Sequence, residues 1–367
     1  MTTEISEVEV EVTAEATPID MAKVEAFAGR VIGDLAATGA QALVYVGDQL
    51  GLLAALAEAP VTSDELAEKT ALDARYVREW LSGLAAHGYI DYEAATKKFS
   101  MPPEHAAVLA DDTSPAFMAA AASVTRSMYH SADDIAEAFR TGDGFGWHQH
   151  HQCLFRGTER FFRPGYKTFL IDDWLHKLDG VVEKLERGAK VLDVGCGHGA
   201  STIILAKAFP NSEFYGVDYH VDSIAAAEQA AMEAGVDGRT HFSVCTAKDI
   251  AGGPYDLICY FDCLHDMGDP VGAARQARNC LAKDGKLLLV EPMAKDALED
   301  NMNPLSALFY AGSTFLCTPC SKSQEVGLAL GAQAGPKRLS EVLNQAGFSG
   351  VRVATESMAN LIIEAKI

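Results

Sequence analysis

Apolar residues recur at helical spacing from about Lys23 to Ala59: Val24, Phe27, Val31 and Leu35, then Leu43, Val46, Leu50, Leu53 and Leu56, interrupted by Gly39 and Gly51. The spacing predicts two or three successive helices. Thr62-Ser63-Asp64-Glu65 fits a capping box that opens a short helix through Glu68, and Asp73 stands where it caps another from Ala74 to His87. Gly88 ends that helix, and Tyr89–Ser100 alternates about a turn near Ala94-Ala95-Thr96. Helices closed by a small hairpin form a winged-helix pattern. Helical periodicity returns over about Ser114 to Phe139 and Arg160 to Leu185, on either side of an irregular stretch rich in Gly, His and aromatics, Gly142 to Arg156. In a two-domain enzyme such a region is expected to form a connecting helix or a substrate lid.

After Gly188 short strands alternate with helices. Strands are predicted over Lys190–Val194, Glu213–Val217, His241–Cys245, Tyr255–Phe261 and Lys286–Val290, with helices over Ser201–Phe209, Ser223–Ala234 and Pro270–Leu281. A helix over Leu339–Ala346 and strands over Val351–Ala354 and Leu361–Ala365 end the chain. This order predicts an α/β fold with a doubly wound sheet that binds ligands at the carboxyl ends of its strands.

Composition bounds the partners. The 367 residues carry 30 Lys+Arg against 51 Asp+Glu, a net charge of −21, and the length suffices for two domains. Four segments are expected: an acidic disordered tail over 1–20, a winged-helix domain over 21–110, a helical linker and lid over 111–186, and the sheet over 187–367. An acid excess of this size repels phosphate backbones and anionic lipid, so neither nucleic acid nor membrane is expected as a partner. The helix after Asp73 carries Arg75 and Arg78, but also Glu79, which argues against a DNA-sensing regulator, the alternative reading of a winged helix. No run approaches the ~20 apolar residues of a membrane helix, and export is not expected, since no basic segment followed by an apolar one stands in residues 1–20. The eight cysteines read as free thiols, and a cytoplasmic location is expected.

The strongest chemical signal is Val191-Leu192-Asp193-Val194-Gly195-Cys196-Gly197-His198-Gly199, between a strand and a helix. Alternate glycines let the chain turn sharply and let a ligand approach the backbone. The third glycine comes one residue earlier than in a dinucleotide fingerprint. The acid on the preceding strand, Asp193, favours a ligand with a cationic amino group over a pyrophosphate. Gly216-Val217-Asp218 ends the next strand with a carboxylate suited to ribose hydroxyls.

With the Tyr255-Asp256-Leu257-Ile258 strand and the Asp284-Gly285-Lys286 turn, these motifs resemble a class I S-adenosylmethionine-dependent methyltransferase over about Lys190 to Ile367. The resemblance implies a Rossmann-like seven-stranded sheet whose last hairpin has an antiparallel strand, with S-adenosyl-L-methionine as cofactor. It assigns Asp193, Gly195, Cys196 and Gly197 to the methionyl end, Asp218 to the ribose and Tyr219 to the adenosine, with Phe261 also in the cofactor-binding set. Thr246, Ala247 and Asp249 stand where the family commonly has an Asp-Ala pair near the adenine. A winged-helix unit ahead of such a sheet is similar to that of small-molecule O-methyltransferases, where it is a dimerisation module, so a homodimer acting on a small-molecule methyl acceptor is implied.

Phe261-Asp262-Cys263-Leu264-His265-Asp266 follows the fourth strand. In plant-type O-methyltransferases a His-Asp dipeptide at this point resembles His265-Asp266, with the histidine as general base and a glutamate, here Glu291, holding its ring. These three form the expected catalytic set. The acceptor atom is oxygen or sulfur. A thiol, with a pKa of about 8.5, needs less help from a base. Trp147, His148, His151 and Tyr310 are expected to line the substrate pocket. The histidines of His148–His151 lack standard ligand spacing and the single Cys-x-x-Cys of Cys317–Cys320 has no second pair, so no metal is expected.

Overall fold

The computed structural model describes residues 18–367. Most of the acidic segment 1–20 lies outside the described residues, but Asp20 caps the first helix, its Oδ1 accepting from the Ala22 and Lys23 amides at 3.0 and 3.4 Å.

That helix, α1 (Met21–Gln49), runs unbroken for 29 residues and is the first of two helices over the stretch where two or three were expected. A single glycine inside a helix costs only about 1 kcal/mol, so Gly39 does not break it. Gly51, left-handed at φ 70°, does, and α2 (Leu52–Ala57) follows. The capping box of α3 (Ser63–Thr70) forms as expected: Thr62 Oγ1 accepts from the Glu65 amide at 3.2 Å and Glu65 accepts from the Thr62 amide at 2.7 Å. Asp73 caps α4 (Ala74–Ala86). The antiparallel wing β1 (Asp91–Glu93) and β2 (Lys98–Ser100) comes next. Leu53, Leu66, Leu81 and Leu84 pack the core of this unit, and Trp80 donates its indole N–H to the Leu43 carbonyl at 2.8 Å.

The middle region holds α5 (Pro103–Leu109), α6 (Ala121–His130), α7 (Ala132–Thr141) and α8 (Cys153–Phe169). Helix α8 starts seven residues before the expected Arg160. Gly157 suggests a break in the sequence, yet it is where α8 lies against α6: a Cβ there would come within 2.7 Å of Ser123 Cβ. A π-turn over Leu170–Trp174 ends α8, and α9 (Val181–Arg187) leads to the sheet.

The sheet contains β3 (Lys190–Val194), β4 (Glu213–Asp218), β5 (Thr240–Val244), β6 (Tyr255–Phe261), β7 (Leu281–Pro292), β8 (Arg352–Glu356) and β9 (Asn360–Lys366), in the order β5-β4-β3-β6-β7-β9-β8. All pairs are parallel except those of β9, which runs antiparallel to β7 and β8. Helices α10 (Ala200–Ala208), α11 (Val221–Ala234) and α12 (Pro270–Cys280) alternate with the strands. Between β7 and β8 lie α13 (Pro304–Gly312), a π-turn over Ser313–Cys317, α14 (Thr318–Lys322) and α15 (Gly335–Gln345). The helices from Pro304 to Lys322 were not expected. No helix among the described residues is long and apolar enough to cross a membrane.

Candidate active site

The strands β3, β4 and β6 end beside the glycine loop, and a cavity of about 760 Å³ opens there. The loop turns back because Gly195 and Gly197 adopt φ 73° and 51°, which only glycine takes readily, and a Cβ on Gly195 would meet Cys263 Sγ at 2.8 Å. The Gly195 and Cys196 amides both donate to the Val217 carbonyl, at 2.8 and 3.1 Å. Asp193 sits beneath the loop and does not line the cavity. Its Oδ2 accepts 2.6 Å hydrogen bonds from Ser201 and Thr202 in the first turn of α10, while its Oδ1 has no partner. Burial pushes its pKa up to about 6 against the pull of those hydroxyls.

Asp218 ends β4 on the cavity wall, its carboxylate accepting from the Gly197 amide at 3.0 Å and the His220 amide at 2.9 Å. A carboxylate with two backbone donors keeps lone pairs for two hydroxyls. Tyr219, Thr246, Ala247, Asp249 and Phe261 line the same cavity, as do Gly195, Cys196 and Gly197. Thr246 donates to Asp249 at 2.6 Å, so the threonine that replaces the family's acid is joined to an acid three residues on.

His265 and Glu291 come together as the sequence implies. Glu291 accepts from His265 Nδ1 in a short contact and from the Leu264 and His265 amides at 3.0 and 3.3 Å. The ring, however, is 4% exposed and does not line the cavity. Its Nε2 lies 3.2 Å from Asp266 Oδ1, and ligating-type atoms of His265, Asp266 and Cys317 fall within 4.8 Å of one another. Burial alone pushes the imidazole pKa down, but Glu291 and then Asp266 outweigh it and hold the ring well above its ordinary value. Burial also keeps the Cys317 thiol protonated, pushed up to about 12. Asp266 is the member of the group that reaches the cavity.

Of the residues expected to bind substrate, Trp147 and His148 line the cavity and His151 and Tyr310 do not. His151 is turned onto Arg126, whose guanidinium lies 2.9 Å from its Nδ1. Tyr310 stands on α13, whose buried residues are Ser306 and Phe309. The sequence reading missed the wall supplied by α8. Phe155, Glu159, Phe162 and Tyr166 follow one another at spacings of four, three and four, one stripe of a helix. That stripe was legible once the helix is begun at Cys153. Also missed was Asp262, a cavity residue at φ 51° whose carboxylate accepts from Tyr166 Oη at 2.8 Å and Asn360 Nδ2 at 2.9 Å.

Comparison with known proteins matches this architecture. Residues 185–347 fit the family model described as a methyltransferase domain, and residues 38–111 that of the Rv2258c-like winged HTH domain. Along this chain the match to the winged helix-turn-helix model thus precedes the match to the methyltransferase model. O-methyltransferase SfmM3 of Streptomyces lavendulae is 27% identical over 263 residues, 69% of this chain and 77% of that protein. The ubiquinone biosynthesis O-methyltransferase of Bordetella avium is 28% identical over 140 residues, 37% of this chain and 52% of that protein. Several curated relatives are matched over only 24%, 26% and 52% of their own lengths. Among solved structures, human N-acetylserotonin methyltransferase in complex with SAM superposes with a TM-score of 0.69 at 18% identity, covering 92% of this chain and 97% of that one. At that identity the likeness is one of fold.

Proposed function

We propose that this chain is an S-adenosylmethionine-dependent methyltransferase acting on an oxygen or sulfur nucleophile of a small molecule. The observation that carries the reading is one continuous cavity. It runs from the glycine loop and Asp218 to a wall of α8 aromatics and to Asp262 and Asp266. The cofactor fits the donor set. Asp218 suits a ribose diol, the unpartnered Asp193 Oδ1 adds negative charge under a loop that a cationic amino acid end would cover, and the glycines leave room for both. When bound, that cofactor supplies an electrophilic methyl group on a sulfonium.

The chain's own task is alignment, exclusion of water and management of one proton. Phe155, Phe162 and Trp147 form an apolar wall against which a flat acceptor packs. Glu291 fixes the His265 ring, and Asp266 lies beside that ring at the cavity edge, its Oδ1 3.2 Å from Nε2. Calorimetry with S-adenosylmethionine tests the assignment: the wild type binds, and Asp218→Ala loses most of the affinity. No binding by the wild type, or equal binding by the variant, would sink it.

The same reading includes a homodimer. Helix α1 leaves Phe27 and Leu35 64% and 67% exposed, with Val24 and Val31 on the same face. A helix with an uncovered apolar face needs a partner, and a second copy of α1 supplies a matching one. Arg75 pairs with Glu79 and Arg78 with Asp64, so the two arginines of α4 are neutralised in place.

A further inference from the structure

We infer that Asp262, held by Tyr166 and Asn360, is the catalytic residue that takes the proton from the methyl acceptor, a phenolic or similarly acidic hydroxyl. The inference rests on the methyltransferase reading and names the base of that same site.

Position comes first. Asp262 follows β6 directly, between Phe261, on the cavity wall, and Cys263, which packs on Gly195 of the loop. Its carboxylate therefore stands between the glycine loop and the α8 wall, where a nucleophile facing the cofactor's methyl would lie. The backbone there is left-handed at φ 51°, a conformation that few residues other than glycine adopt, though aspartate and asparagine tolerate it best. Strain of this kind persists where surrounding contacts enforce it, and here they do. Tyr166 Oη donates to Oδ2 at 2.8 Å, Asn360 Nδ2 donates to Oδ1 at 2.9 Å, and the Asp262 amide donates to the Val290 carbonyl at 2.8 Å. Tyr166 comes from α8 and Asn360 from the start of β9, so two distant segments converge on one carboxylate, while β7 holds the backbone. Each oxygen keeps a lone pair for a further proton.

The neighbouring groups are engaged otherwise. His265 has Glu291 on one nitrogen and Asp266 on the other, already carries its proton, and is sealed from the cavity. Glu291 is committed to that ring and to two backbone amides. Asp266 also reaches the cavity, but its carboxylate is turned onto the His265 ring and the Cys317 thiol; burial raises its pKa and the His265 charge pulls it only partly back. Asp262 faces Tyr166, Glu291, His265 and Asp266. Burial first, then the Glu291 charge, raises its pKa, while the Tyr166 hydrogen bond and His265 pull it back, leaving about 7. A base with that affinity works best near neutrality.

In the transfer, an oxygen lone pair of the acceptor forms the bond to the methyl carbon as the carbon–sulfur bond breaks and its pair stays on sulfur. The acceptor's proton goes to Asp262, which returns it to water. Tyr166 and Asn360 are positioning residues.

The test is Asp262→Asn, which keeps the shape and tolerates the left-handed backbone, assayed by S-adenosylhomocysteine release on a panel of phenols of graded acidity, with S-adenosylmethionine affinity measured alongside. Expected are a fall in turnover of about 10²–10⁴, unchanged cofactor affinity, loss of the wild-type rise in rate with pH near neutrality, and a defect that shrinks as the phenol becomes more acidic. Tyr166→Phe removes a hydrogen bond that favours the charged carboxylate, so its rate midpoint moves to higher pH. Unchanged turnover in Asp262→Asn overturns the inference. So does a loss of cofactor affinity as large as the loss of turnover, which would make Asp262 a cofactor anchor. So does a wild type that binds cofactor and methylates no phenol in the panel. A wild type that binds no cofactor instead overturns the methyltransferase reading itself.

Discussion

Asp193 carries its charge against the cost of burial. The carboxyl is 1% exposed and its pKa lies at about 6, above the value of about 3.9 for an unfolded aspartate. Such a group binds its proton more tightly when folded, so its contribution to stability is fully present below about pH 4 and is lost as pH rises through about 6. The difference amounts to about 3 kcal/mol. Asp193→Asn, which keeps an acceptor for Ser201 and Thr202, should match the wild type at pH 4 and exceed it by about that amount at pH 7 in urea denaturation. A constant difference across that range would remove the burial argument. At the same scale, both the glycine loop and Asp218 could be read from residue order, because each acts through backbone geometry at one strand end. Asp262 could not, because its function depends on Tyr166 and Asn360, 96 and 98 residues away.

At the scale of elements, α1 has unfinished packing among the described residues. Its N-terminal half is exposed on every side, and the apolar stripe through Phe27 and Leu35 faces no other part of the described chain. For the proposed homodimer, replacing both by lysine should give a monomer in sedimentation equilibrium while leaving helical content unchanged; a monomeric wild type would overturn the homodimer, and a persistent dimer would place the interface elsewhere. Helix starts with side-chain caps, at Thr62 and Asp73, were legible because the signal spans only a few residues. The start of α8 was not, since Gly157 looks like a breaker until α6 is seen to require it.

Across the whole molecule, α8 joins the two domains. Arg160 on α8 makes a bidentate pair with Asp48 of α1 at 2.6 and 2.9 Å, with side chains only 15% and 11% exposed. Removing one partner strands a buried charge, so Asp48→Ala should cost about 3–5 kcal/mol in denaturant titrations. Replacing both residues with apolar ones should cost much less. Because α8 also supplies Phe155, Glu159, Phe162 and Tyr166 to the cavity, the single variant should raise the apparent KM for the acceptor as well.

The sequence by itself determined the alternation of strands and helices, the winged unit, the glycine loop and the acid at the end of β4, because each is written in local periodicity or in a motif a few residues long. Only the tertiary structure decided how the acids and the histidine divide their tasks. The π-turn and α14 bring Cys317 against His265 and Asp266, and this closes the ring off from the cavity. Helix α8 and β9 converge on Asp262 and leave that carboxylate facing it. Residue type sets what a side chain can do, whereas burial and neighbours from distant segments set its protonation and what it can reach.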